Sequence, residues 1–154
     1  MTAANEKSKR LIELLKSKGL TIAAAESCTG GAFMAALVRV SGASEVLRGG
    51  VVTYCDDVKV DVVGVERETI QQFGVVSTQT VAEMAAGVRL KFGAALGIGV
   101  TGYAGPGGEH VGKVCFGISV GKEVITVTRK FDGARGEVID ACVDFLIEWL
   151  CEKI

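Results

Sequence analysis

Ala23-Ala24-Ala25-Glu26-Ser27-Cys28-Thr29-Gly30-Gly31 is the stretch on which the reading of this chain turns. A run of small apolar residues stops at hydroxyl side chains and paired glycines, after which Phe33, Leu37 and Val40 recur at helical spacing. The pattern predicts a buried strand over Leu20 to Ala25, a tight turn and a helix. Glycines permit tight backbone geometry, and the N–H groups at the start of a helix point toward whatever anion occupies the turn. Such a turn holds either a phosphate or the oxyanion of a reacting carbonyl.

Working outward, 154 residues of 49% hydrophobic content suit one compact domain over 1–154 with an adequate core. The formal net charge of −1 supplies no global basic field for nucleic acid or an anionic membrane, so any anion site is local. The chain up to Arg10 is polar and lacks the apolar core of a signal peptide, and no apolar run is long enough to span a bilayer. The expectation is a cytoplasmic protein without nucleic-acid or membrane partners. High apolar content in a small chain makes a homo-oligomer plausible, on no assigned surface. Cys28, Cys55, Cys115, Cys142 and Cys151 are odd in number and form no CxxC pair, which disfavours a disulfide framework and a structural zinc site. His110 is the only histidine, so a non-histidine base has to be considered early.

Leu11, Ile12, Leu14 and Leu15 predict an amphipathic helix over Asn5 to Lys18, with Gly19 after its end. Gly49 to Tyr54 reads as a second strand, followed by a short helix that carries Lys59 and has Asp56 or Asp57 as its cap. A helix over Arg67 to Phe73 ends at Gly74, and Ser77 caps a longer one over Thr78 to Phe92, with Val81, Met84, Ala85 and Val88 as its apolar stripe. Ala94 to Thr101 is a third strand, leading into Gly102-Tyr103-Ala104-Gly105-Pro106-Gly107-Gly108, a second glycine-rich turn that could face the first. Val111 to Val120 and Lys122 to Phe131 resemble two antiparallel strands joined at Gly121, and Arg135 to Lys153 a terminal amphipathic helix. This order argues for an α/β fold, a sandwich whose mixed, mostly parallel sheet includes an antiparallel hairpin.

Glu26-Ser27-Cys28-Thr29-Gly30-Gly31, then Val52-Thr53-Tyr54 and Lys59, resemble the CinA C-terminal domain family, which includes nicotinamide-nucleotide amidases. Gly74-Val75-Val76-Ser77, Met84-Ala85-Ala86-Gly87, Thr101 to Gly108 and Phe131-Asp132-Gly133-Ala134-Arg135 extend the resemblance in one order over nearly the whole chain. It implies a three-layer α/β/α fold and hydrolysis of nicotinamide mononucleotide to nicotinic acid mononucleotide and ammonia, without a metal or organic cofactor. Ser27 is then the nucleophile, and Tyr54 and Lys59 complete the proton-transfer set. Cys28, Thr29, Gly30 and Gly31 are the oxyanion candidates, while Thr101, Gly102, Gly105, Gly107 and Arg135 are the candidates for holding the nucleotide. A catalytically weak nucleotide-binding module, or an amidase for another small amide, are the alternatives.

The chemistry sets its own conditions. Lys59 serves as a base only if its amine falls from ~10.4 toward ~7–8, a shift that burial favours and a facing carboxylate from Glu26, Asp56 or Asp57 opposes. The chain departs from the usual family pattern at Cys55-Asp56, where Ser-Asn is common, in a shorter loop after Pro106, and at Asp140, where an arginine often stands.

Overall fold

The computed structural model describes residues 2–154. Its elements run α1 (Ala3–Ser17), β1 (Ile22–Glu26), α2 (Ala32–Val38), β2 (Leu47–Val52), α3 (Asp56–Val63), α4 (Arg67–Phe73), α5 (Thr78–Phe92), β3 (Leu96–Gly102), β4 (Lys113–Val120), β5 (Glu123–Lys130) and α6 (Arg135–Lys153), with a short 3₁₀ turn at Ala43–Glu45. The strands form one mixed sheet in the order β2-β1-β3-β4-β5. β1 pairs in parallel with both β2 and β3, and β4 runs antiparallel to β3 and to β5.

Alternation along β1 explains the layering. Ile22 and Ala24 face a core shared with Leu11, Leu15, Phe33, Leu37, Leu146 and Leu150, so α1, α2 and α6 cover that face. Ala23 and Ala25 face Val63, Met84 and Val88 from α3 and α5 on the other. A strand covered on both faces needs no polar alternation, which is why all five residues of β1 are buried. The helix α5 lies hard against the sheet: a Cβ on Gly97 would come within 2.0 Å of the Ala85 carbonyl, and one on Gly99 within 2.7 Å of that of Val81. Those strand glycines are there for close approach.

The α/β/α sandwich expected from the sequence is present, and the helices at 67–73, 78–92 and 135–153 have the expected bounds. Two local expectations fail. Neither Asp56 nor Asp57 caps α3; both lie inside its first turn, and Cys55 holds the cap position without a side-chain cap bond. β2 also ends at Val52, leaving Thr53 and Tyr54 as a connection whose backbone faces the end of β1. In the order β2-β1-β3, the chain leaves β1 toward β2 and leaves β3 toward β4, so a crevice opens beyond the carboxyl ends of β1 and β3. Among the described residues no helix is long and apolar enough to cross a membrane.

Candidate active site

Ser27 stands one residue past the end of β1, in that crevice, with its N–H donating to the Val100 carbonyl of β3 at 3.0 Å. Its hydroxyl lies 3.1 Å from Nζ of Lys59. Both are buried, Lys59 to 1% exposure. Nζ also donates to the Thr53 carbonyl at 2.6 Å and is 3.5 Å from that of Tyr54. With two hydrogens of a neutral amine directed to those carbonyls, the lone pair is left for Ser27. Burial pushes the Lys59 amine below the ordinary lysine range, against the opposing charge of Asp56 one turn earlier.

Glu26 governs the turn, and not in the way an opposing carboxylate would. Its Oε2 accepts from the Thr29 hydroxyl at 2.6 Å, the Gly31 N–H at 3.0 Å and the Phe33 N–H at 3.1 Å, while Oε1 accepts from the Met34 N–H at 2.9 Å. The start of α2 is therefore occupied by a carboxylate of the protein itself. Its main-chain carbonyl accepts the Thr53 N–H at 2.7 Å. Glu26 thus fixes the Ser27 turn through its side chain and, through Thr53, the carbonyl that Lys59 meets.

This corrects the oxyanion candidates. The Gly31 N–H is committed to Glu26, and the Gly30 N–H to the Ser27 carbonyl at 3.0 Å. Among the described residues no hydrogen-bond partner meets the N–H of Cys28 or of Thr29, and of the two only Cys28 lines the pocket beside Ser27. The Cys28 thiol lies in the same buried cluster as Cys142 of α6, and the neighbouring thiol together with burial holds the Cys142 proton above the usual thiol range. Ser27 is left as the hydroxyl that meets the lysine.

Tyr54 departs from the expected relay. Its side chain is 61% exposed and its hydroxyl accepts from Arg135 at 2.9 Å; what approaches Lys59 is its carbonyl. Arg135, at the start of α6, also donates to the Gly105 carbonyl, tying Tyr54 and the second glycine-rich turn together at the mouth. A pocket of about 260 Å³ brings together Ser27, Cys28, Tyr54, Asp56, Lys59, Thr101, Gly102, Gly105, Gly107 and Arg135. Thr101 is present as a brace, its hydroxyl donating to the Val75 carbonyl at 3.0 Å. Thr29, Gly30 and Gly31 do not line it, and neither does His110. Asp140 is elsewhere, in a larger groove of about 730 Å³ between α1, α2 and α6 that contains neither Ser27 nor Lys59.

Sequence reasoning missed Val75, Val76 and Tyr103 as walls of the pocket. An apolar pair in a turn between two helices was the available signal for the valines. No pattern marked the Thr53 carbonyl, because a main-chain acceptor carries no residue signature.

The comparisons agree with this architecture. The profile of the CinA C-terminal domain matches residues 4–154. A CinA-like protein of Flavobacterium psychrophilum is 39% identical over 146 residues, 92% of this chain and 35% of that protein, and a CinA-like protein of Kosmotoga olearia is 35% identical over 144 residues, 91% of this chain and 35% of that protein. The chain therefore spans about a third of the length of these relatives. Among solved structures, a competence or damage-inducible protein from Enterobacter asburiae superposes with a TM-score of 0.95 at 36% identity, covering 99% of this chain and 98% of that one. The competence/damage inducible protein CihA from Agrobacterium tumefaciens gives 0.93 at 37% identity, covering 99% and 96%. With the profile matched across almost its whole length, this chain belongs to the CinA C-terminal domain family.

Proposed function

We propose that this protein hydrolyses the carboxamide of nicotinamide mononucleotide through Ser27 and Lys59, releasing nicotinic acid mononucleotide and ammonia. The observation that carries the reading is the 3.1 Å contact between a buried serine hydroxyl and a buried lysine amine at the floor of a pocket. A serine hydroxyl is a weak nucleophile until a neighbouring base takes its proton, and burial that favours the neutral amine makes Lys59 that base. Ser27 Oγ attacks the amide carbon as its proton passes to Nζ, and the carbonyl oxygen, now an anion, accepts from the N–H of Cys28, the one unpartnered main-chain donor of that turn whose residue lines the pocket. Lys59 returns the proton to the departing nitrogen, which leaves as ammonia, and an ester on Ser27 remains. Water then attacks the ester, passing a proton through Lys59 to Ser27 Oγ as the acid is released.

Tyr54 serves at the mouth in this reading. Its hydroxyl oxygen accepts from Arg135 and keeps its own hydrogen to donate to a ligand. A second reading, a nucleotide-binding module without efficient hydrolysis, is favoured by that same observation, since the phenol makes no contact with Ser27 or Lys59. The test is incubation of purified protein with nicotinamide mononucleotide, quantifying ammonia and the acid nucleotide beside Ser27→Ala. Serine-dependent formation of both products is expected. Calorimetric binding without products from the folded parent protein would replace the amidase by the binding module.

A further inference from the structure

Two lining side chains of the pocket carry charge, Asp56 and Arg135, both exposed, while the buried Lys59 amine lies on its floor. The neighbouring carboxylates of α3 behave differently. Asp57 pairs with Arg67 at 3.0 Å, whereas among the described residues Asp56 has no ion pair and no hydrogen bond. A free carboxylate on a pocket wall raises the proton affinity of the lysine that has to be neutral there, which works against catalysis in the empty site. The conflict is relieved if a positive charge comes in with the ligand. Two exposed aromatic rings stand on the same walls, Tyr54 at 61% and Tyr103 at 40% exposure, and the face of a phenol ring attracts a cation. Arg135 supplies the opposite pole.

We infer that Asp56, on the pocket wall it shares with Tyr103, is a specificity determinant that selects a carboxamide on a permanently cationic aromatic ring over the same amide on a neutral ring. The inference rests on the amidase reading and deepens it: a pyridinium nucleotide bears one fixed positive charge on its ring and an anionic phosphate, matching the carboxylate and guanidinium at the mouth. The positive ring would also offset the field of Asp56 at Lys59, so that substrate completes the electrostatics the base needs. Arg135 cannot make this selection, because oxidised and reduced nucleotides present it with the same phosphate.

The test is calorimetry on the Ser27→Ala protein, which separates binding from turnover, with nicotinamide mononucleotide and its reduced dihydropyridine form, and with the phosphate-free pair 1-methylnicotinamide and nicotinamide. A preference of about fivefold for the charged ring is expected in both pairs, the size of one exposed ion pair with a cation–π contact. It should fall below about twofold in Ser27→Ala/Asp56→Asn, an exposed, nearly isosteric change whose folding is checked by its thermal transition. Equal affinities in the Ser27→Ala protein, or a preference that survives Asp56→Asn, would overturn the inference and leave the amidase reading standing. Failure of both nucleotides to bind would remove that reading and the inference with it.

Discussion

Two glycine-rich turns face the pocket, and they are held in opposite ways. In the first, Glu26 gathers the Thr29 hydroxyl and the N–H groups of Gly31, Phe33 and Met34, so the start of α2 is saturated from within. In the second, Gly107 and Gly108 are exposed, Gly105 is held by Arg135 from another element, and the base of the loop is closed by Tyr103 N–H to Lys113 and Gly112 N–H to Tyr103. A glycine-rich turn before a helix is therefore not an anion site by composition; what matters is whether its N–H groups are already spoken for. Here the first turn is braced so that Ser27 is held still, and the second is the one whose glycines are left open.

Substitutions can break that contrast. The largest effect belongs to the floor between the two turns: Lys59→Met should lower kcat by about 10²–10⁴ with the fold intact, measured by ammonia release and circular dichroism. Next is Gly112→Ala at the base of the second turn, where φ is +87° and a Cβ would lie 1.9 Å from the Phe131 carbonyl. A loss of about 2–3 kcal/mol in urea unfolding is expected. In the first turn, Glu26→Gln keeps the shape but sets an amide NH₂ against an N–H donor, costing about 1–3 kcal/mol and lowering kcat more than it raises KM. If Glu26→Gln left both stability and kcat unchanged, the saturated turn would not be the rigid partner.

A smaller effect sharpens the electrostatics. With Lys59 as the neutral base of the proposed mechanism, activity should fall as pH drops through its lowered pKa, placing the acid limb of kcat/KM below the ordinary lysine range. Asp56 raises that pKa, so Asp56→Asn should move the limb to lower pH; movement to higher pH would refute the assigned sign. Smallest of all is Gly107→Ala, where nothing lies within 4 Å of an added Cβ, with an expected change within about 0.5 kcal/mol.

Much of this was legible in the chain. The bounds of α4, α5 and α6 follow from caps and periodicity, as with Ser77, whose hydroxyl accepts the Thr80 N–H at 3.1 Å. The meeting of Ser27 with Lys59 was legible only through the family resemblance, since the two are 32 positions apart. What stayed hidden was the allocation of hydrogen bonds. Sequence offered Glu26 as a charge that could oppose Lys59, and only the geometry aims it at α2. It offered Tyr54 as a relay, yet the phenol turns to Arg135, 81 positions away. Asp140 looked like a change in nucleotide recognition but lies in the other groove, because helical phase carries it away from Arg135 on α6.

The seal around Lys59 has one more consequence. At 1% exposure, with two of its directions closed by the carbonyls of Thr53 and Tyr54, the amine opens toward the pocket that it lines. While a ligand fills that space, a hydrogen taken from Ser27 is confined with the reacting molecule. The hydrogen delivered to the departing nitrogen would then be drawn from the three of the Lys59 ammonium, one of which the serine gave up.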